Sequence, residues 1–247
     1  MDESLLFFSL LLFSFAFLYS SVGHGGASAY LALMALFSFD NQVMKQTALS
    51  LNLVVAAISF IQFYRSGFFI LRLFIFLAIS SIPLAFVGGM IDLKSQTYKL
   101  VLGFFLLISV VRLFLKSTDY INLINKKKIN IVVALIIGAS IGFVSGLIGI
   151  GGGILLSPIL LMLKWSDVKN TASVSALFIW VNSAAGIAGQ INSGIKLDNN
   201  IPLFIIVVTV GAIFGGYWGS KSLSFINLEK VLLLVLLAAA IKLIFFK

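Results

Sequence analysis

Apolar and polar positions along this chain are sorted into long blocks. Apolar runs near Leu5–Val22, Val43–Phe63, Phe68–Met90, Tyr98–Leu115, Ile129–Ile148, Val168–Ile191, Ile201–Ser220 and Leu228–Phe246 are separated by short polar gaps. At about 1.5 Å per helical residue, each run is nearly long enough to cross a hydrocarbon core of roughly 30 Å. In lipid a backbone must satisfy its own polar groups, so the pattern predicts an all-α polytopic membrane protein. Two apolar stretches, Leu5–Phe39 and Ile129–Leu163, are interrupted by glycine clusters, Gly23-His24-Gly25-Gly26 and Gly149-Ile150-Gly151-Gly152-Gly153. A glycine in a helix costs about 1 kcal/mol relative to alanine, so each cluster should break its helix. The spacing predicts a full helix, an unwound turn and a second helix of roughly 10 to 12 residues, too short to span alone.

The clusters belong to a repeat of about 126 residues, since Gly23-His24-Gly25-Gly26 falls on Gly149-Ile150-Gly151-Gly152. Lys45-Gln46-Thr47-Ala48 falls on Lys169-Asn170-Thr171-Ala172, Ser66-Gly67 on Ser193-Gly194, and Gly88-Gly89 with Lys94-Ser95 on Gly215-Gly216 with Lys221-Ser222. The chain therefore reads as one integral membrane domain of two homologous halves, 1–125 and 126–247. Each half holds a broken helix pair plus three transmembrane helices. If the broken pair returns to its starting side, each half makes an odd number of crossings and the halves are inverted; if it is one interrupted span, they are parallel. The basic cluster Arg112, Lys116 and Lys126-Lys127-Lys128 marks the central loop as cytoplasmic. Counting outward, inverted repeats put Arg65, Arg72, Lys164, Lys169, Lys221 and Lys230 inside and leave Asp2 and Glu3 outside. Parallel repeats move the last four lysines out and Lys196, Lys242 and Lys247 in. The charge bias favours the inverted arrangement. The first run lacks a basic flank and ends in a poor cleavage site, so it is expected to stay in the mature fold.

Composition narrows the function. With 61% hydrophobic and only 10% charged residues, and a mean hydropathy of +1.16, lipid is the expected solvent. A net charge of +9 would suggest nucleic acid in a soluble chain, but the basic residues fall in the gaps between apolar runs and read as orientation signals and headgroup contacts. The absence of cysteine excludes disulfides and thiolate metal sites. No Walker lysine follows a glycine-rich loop, and the third glycine of a dinucleotide fingerprint is misplaced. No cofactor, no metal and no enzymatic activity are expected.

The glycine clusters suggest a different chemistry. Peptide N–H groups released from helix bonding, followed by a helix N-terminus, accept an anion without a charged side chain. In an inverted arrangement, Gly23, Gly25 and Gly26 would face Gly149, Gly151, Gly152 and Gly153 near the bilayer centre. All eight carboxylates, Asp2, Glu3, Asp40, Asp92, Asp119, Asp167, Asp198 and Glu229, lie at segment ends. A cation carrier would normally keep one inside a span. Uncharged donors do lie within the runs: Thr47, Ser50 and Asn52 in the first half, and Thr171, Ser173, Ser175 and Asn182 in the second. They suit oxyanion coordination, and equally suit helix association. His24, the only histidine, sits inside the first cluster, where a charge that changes near neutral pH would tune anion affinity or couple a proton. Its counterpart is Ile150.

Other glycines read as packing. Gly138, Gly142 and Gly146, and again Gly211, Gly215 and Gly219, keep the four-residue spacing of close helix contact. Trp165, Trp218 and Tyr120 are expected at interfaces, and Trp180 in packing or at a cavity wall.

The Gly-x-Gly-Gly-Gly cluster with Pro158 five residues on, the Lys169 to Ser173 segment and the degenerate first copy together resemble the TauE/SafE family over essentially the whole chain. The resemblance implies a secondary transporter of the bacterial cytoplasmic membrane, exporting sulfite or an organosulfonate by alternating access between the two halves. The first copy departs from the pattern, with Ala27 for the last glycine, His24 inserted, and Ala32 where the second half has Pro158. A small anionic substrate and the lipid bilayer are the expected partners, with no nucleic acid; self-association into a homo-oligomer stays open. The other reading is a non-transporting membrane subunit that anchors a partner protein.

Overall fold

The computed structural model describes residues 3–114, 127–194, 201–221 and 226–245. Among these the chain is helical without strands: α1 (Glu3–Ser21), α2 (Ala27–Leu36), α3 (Asn41–Arg65), α4 (Leu71–Met90), α5 (Ser95–Phe114), α6 (Ile131–Ile148), α7 (Gly153–Met162), α8 (Val168–Asn192), α9 (Ile201–Lys221) and α10 (Ile226–Phe245). Helix boundaries follow local chemistry. Asp40 caps α3 by accepting from Gln42 N (3.0 Å), and Asp167 caps α8 by accepting from Asn170 N (2.9 Å). The runs end at Gly67 and Gly194, both in the left-handed region (φ +83° and +81°). Helices α3, α4, α6, α8 and α9 are each long and apolar enough to cross a membrane, and shorter apolar helices accompany them.

The burial pattern is that of a protein dissolved in lipid. Ile79, Phe104, Val132, Ile136 and Ile206 stand exposed on the outside, while Asn52, Ser59, Ser173, Asn182 and Ser183 are sealed within. Asp40, Asp92 and Asp167 lie at helix ends, as expected. Lys116, Tyr120, Lys126, Lys196 and Lys247, with Asp2, Asp119 and Asp198, lie outside the described residues. Two tryptophans differ from expectation. Trp165 is buried against a cluster containing Leu73, Leu77 and Phe178, because the end of α7 turns inward there. Trp180 is 40% exposed on α8 rather than packed inside.

Both broken pairs fold back as hairpins. The Phe8 ring, near the start of α1, meets Phe37 and Phe39 at the end of α2, with centroids 5.1 and 5.3 Å apart. In the second pair Lys127 N, ahead of α6, donates to the carbonyl of Lys164, after α7 (2.9 Å). An in-line broken span would separate these ends by roughly 40 Å. Lys242 on α10 donates to the Leu36 carbonyl and to Ser38 Oγ (both 2.9 Å), placing a cation on the C-terminal end of α2.

Glycine ladders bind specific pairs. A Cβ on Gly138, Gly142 or Gly146 of α6 would meet the carbonyl of Leu77, Ser81 or Ala85 on α4. On α9, Gly211, Gly215 and Gly219 sit over the carbonyls of Phe13, Phe17 and Ser21 on α1. In both ladders the residue numbers rise together, so the paired helices run parallel with their backbones nearly touching. Helices α3 and α8 run the other way: Asn52 is level with Ile179, whereas Leu49, earlier on α3, meets Gly186, later on α8. These two central helices are antiparallel.

Candidate functional site

The two turns between hairpin arms are built from positive-φ glycines: Gly23 (+75°) and Gly26 (+96°) in the first, Gly149 (+84°), Gly151 (+78°) and Gly152 (+83°) in the second. A residue with a Cβ would be strained at each. The turns uncouple the backbone from helix bonding, as the sequence predicts. Among the described residues, no hydrogen bond takes up the N–H groups of Gly25, Gly26, Gly151, Gly152 or Gly153. Helices α2 and α7 start from these turns, and neither carries an acidic residue in its first turn.

Both turns converge on one point. A Cβ on Gly25 would strike Asn52 and Ile179, and a Cβ on Gly151 would strike the same two side chains. Gly153 lies against Ile179 as well. Asn52 and Ile179 are each the twelfth residue of a 25-residue helix, so the meeting point is halfway along α3 and α8. Asn52 is fully buried and uses both ends of its amide there. Its Oδ1 accepts from Ala27 N, the first N–H of α2 (3.1 Å), and its Nδ2 donates to the carbonyl of Ile150 in the other turn (3.5 Å). One side chain thus ties the two turns together and leaves the other freed N–H groups without a protein acceptor among the described residues.

His24 crosses between the halves. It is 5% exposed, with Nδ1 3.0 Å from the Val22 carbonyl and Nε2 3.0 Å from Ser157 Oγ on α7. Ser157 Oγ lies 2.9 Å from Ser175 Oγ on α8 and 3.0 Å from the Gly153 carbonyl. Tyr19 presents its ring edge to the imidazole at 6.3 Å, and its hydroxyl shares a 2.6 Å hydrogen bond with Ser28 Oγ.

The remaining candidates divide by helix face. Ser175, Ile179 and Asn182 follow at four and three residues and share one face of α8. Asn182 Nδ2 donates to the Phe178 carbonyl of its own helix (2.7 Å), while its Oδ1 is buried with no partner among the described residues. Ser173 Oγ and Thr47 Oγ1 are likewise buried and unpartnered. Thr47 precedes Asn52 by five residues, about 140° around α3, and Ser50 by two, about 200°. Both are buried, on sides of the helix other than the one Asn52 presents to the turns. Thr171 spends its hydroxyl on Ser166 Oγ (2.6 Å), in the connection that leads into α8. Every candidate named from sequence is buried, and the structure gathers Gly23, His24, Gly25, Gly26, Asn52, Gly149, Gly151, Gly152 and Gly153 around the junction, with Asn182 three residues beyond Ile179 on α8.

Sequence reasoning passed over Ser157, Ile179 and Tyr19, read Lys45 only as a repeat landmark, and read Lys169 as a landmark, an orientation signal and part of the family motif. Lys45 is 6% exposed; its Nζ donates to the Gly89 and Ile91 carbonyls at the end of α4 (both 3.2 Å), and its backbone packs on Gly149. Lys169 Nζ lies 3.5 Å from the Ser220 carbonyl at the end of α9. Both cations sit at helix C-termini, where the partial charge is negative. The four-residue step from Gly153 to Ser157 was the available signal for the serine.

Comparison with known proteins agrees with this architecture. The family model described as "Sulfite exporter TauE/SafE" matches residues 7–243. "Probable membrane transporter protein y4hK" of Sinorhizobium fredii is 36% identical over 99% of this chain and 100% of its own. "Probable membrane transporter protein MJ0441" of Methanocaldococcus jannaschii is 30% identical over 41% of this chain and 37% of its own. No solved structure matches the chain. A multi-pass helical membrane protein with two buried glycine turns, matched along nearly its full length, this chain belongs to the TauE/SafE family of membrane transporters.

Proposed function

We propose that the protein carries a small anion of the sulfite or organosulfonate class out across the bacterial cytoplasmic membrane, and that it is not an enzyme. The observation that carries this reading is the convergence of two freed helix N-termini on Asn52 and Ile179, halfway along the central helices. Such a site binds negative charge through peptide dipoles and releases it without a counter-charge to hold it back. Alternating access exposes the turns to each side in succession. The sulfur oxyanion is taken from the family description.

We further propose that 1–125 and 126–247 are inverted repeats. The antiparallel run of α3 and α8 supports this, because equivalent helices of parallel repeats would point the same way. The offset supports it too. Gly88 packs on Phe143 O and Gly215 on Phe17 O; the glycines are 215 − 88 = 127 apart and the phenylalanines 143 − 17 = 126.

The test is flux into proteoliposomes of sulfite, sulfate, sulfoacetate and taurine, with Gly152→Val as the site variant. A Cβ at Gly152 meets Ile141 (2.7 Å) and Phe178 (3.0 Å) at a positive φ, so the variant should lose transport. Normal flux in that variant would remove the glycine-turn site. If the unsubstituted protein moved none of the four while one partner copurified stoichiometrically, the protein would be a membrane subunit instead.

A further inference from the structure

We infer that two hydroxyls, Tyr30 Oη and Ser145 Oγ, are anion ligands, one for each glycine turn, so that each turn offers an oxyanion peptide N–H groups and one O–H together. This rests on the anion-transport reading above and adds two side chains that neither the sequence nor that reading assigns to the site.

The turns end on equivalent glycines. Gly26 and Gly152 are the N-caps of α2 and α7, both in the left-handed region (φ +96° and +83°), and neither helix has a side-chain cap. A hydroxyl-bearing residue stands over each. Tyr30 Oη is the nearest atom to the point where a Cβ on Gly26 would sit (2.5 Å), and Ser145 Cβ lies 3.6 Å from the corresponding point on Gly152. Both residues are fully buried, and neither hydroxyl has a hydrogen-bond partner among the described residues.

A buried hydroxyl without a partner is uncommon, because nothing offsets the loss of its water. The usual remedy within a helix is to donate to the carbonyl four residues earlier. Ser14, Ser59, Ser109 and Thr209 do this, to Leu10, Val55, Phe105 and Ile205. Ser145 makes no such bond to Ile141. Tyr30 is the fourth residue of α2, and its ring leans back over the N-terminal turn as helical side chains do. A phenylalanine would fill that place, so the oxygen is the part that packing does not explain. Thr47, Ser173 and Ser183 also lack partners, but none of them is among the nearest atoms to a Cβ on a turn glycine.

The two hydroxyls reach their turns by different routes. Tyr30 comes from the helix that follows its turn, and Ser145 from the helix that precedes the other. With an offset of 126 residues, Tyr30 falls on Leu156 and Ser145 on Tyr19, whose hydroxyl shares a hydrogen bond with Ser28. The pair is matched in space and not in sequence, which is why the repeat does not reveal it.

Toward an anion a hydroxyl can only donate. The N–H groups of Gly25 and Gly26 lie beside Tyr30, and those of Gly151, Gly152 and Gly153 beside Ser145, all without protein acceptors among the described residues. An oxyanion with several acceptor oxygens can use both kinds of donor at once. Neither donor carries a full charge, so affinity rises without a counter-ion that would retain the ligand. A phenol is the stronger donor of the two hydroxyls, so Tyr30 should count for more.

Removing a hydroxyl that bonds to nothing costs the unliganded protein nothing, and this separates a ligand from a structural residue. Tyr30→Phe and Ser145→Ala each delete one oxygen. Without anion, both variants in detergent should melt at the temperature of the unsubstituted chain or above it. Sulfoacetate affinity, read by isothermal titration calorimetry, should fall about 10-fold or more in each, with the larger loss in Tyr30→Phe. The losses should multiply in the double variant, because the hydroxyls serve separate turns. A variant with unchanged affinity overturns the ligand role of that residue. So does a lower melting temperature without anion, or failure to fold, since the hydroxyl would then have a partner in the protein. If the unsubstituted chain neither binds nor moves sulfite, sulfate, sulfoacetate or taurine, the anion reading itself fails, and both ligand roles with it.

Discussion

The amide of Asn52 lies 3.5 Å from the carbonyl of Ile150, although 98 residues separate them in sequence. With its other end on Ala27 N, this side chain is the one polar link described between the backbones of the two turns. It both holds the turns at a fixed distance and completes the first N–H of α2.

Asn52→Leu keeps the volume and removes both bonds. The Ala27 N–H is then buried without a partner, at about 1 to 3 kcal/mol. The expected outcome is a lower melting temperature in detergent together with an anion flux reduced by about 10-fold or more. A variant that melts and transports normally would show that the junction is not held by this residue.

Gly151 and Gly194 share nearly the same φ, +78° and +81°, and differ in surroundings. A Cβ at Gly194 meets nothing within 4 Å, while one at Gly151 strikes Asn52 and comes within 3.0 Å of Ile179. Alanine at either position carries the left-handed strain of about 1 kcal/mol. Only at Gly151 should crowding add about 1 to 3 kcal/mol and abolish transport. Equal melting temperatures for Gly151→Ala and Gly194→Ala would mean that the turn has room to relax.

Inverted repeats put the starts of α3 and α8 on opposite sides of the membrane. The chain has no cysteine, so Gln42→Cys and Lys164→Cys, both at exposed positions, give clean single labels. An impermeant maleimide applied to intact cells should label Gln42→Cys only, and Lys164→Cys only after permeabilisation. Labelling of both from one side would make the repeats parallel.

Much of this fold is legible in the sequence because lipid imposes simple rules. Continuous apolar runs fix the helices to within a few residues, and clustered glycines fix the breaks at Gly23 and Gly149. The return of each broken pair is legible only through the bias of the basic residues and not through hydropathy, since its packing depends on Phe8 reaching Phe37 and Phe39, a side-chain contact between segments that hydropathy treats alike. At the site, symmetry singles out Thr47 and Thr171 as a matched pair, but the Thr171 hydroxyl is taken by Ser166 and Thr47 lies on another side of α3 from Asn52. Asn52 itself has Ala176 near its repeat position, so symmetry gives it no special weight. Trp165 is misplaced for a related reason: aromatic residues at segment ends suit an interface, and only the inward turn after α7 buries this one. The His24–Ser157 contact joins residues 133 apart through a loop, where no periodicity applies.

The glycine ladders also determine which pieces can travel. Each places peptide carbonyls where side chains would otherwise stand, so sliding by one residue drives a methyl or larger group into a neighbouring backbone. Helices α4 and α6 are therefore locked as one stiff beam, and α1 and α9 as another. Each beam contains a helix from both halves. Rocking one half of the sequence rigidly against the other would shear both beams along their whole length. Under the alternating access proposed above, the bodies that rock would be hybrids of the two halves, divided along the antiparallel α3–α8 seam where Asn52 and Ile179 meet.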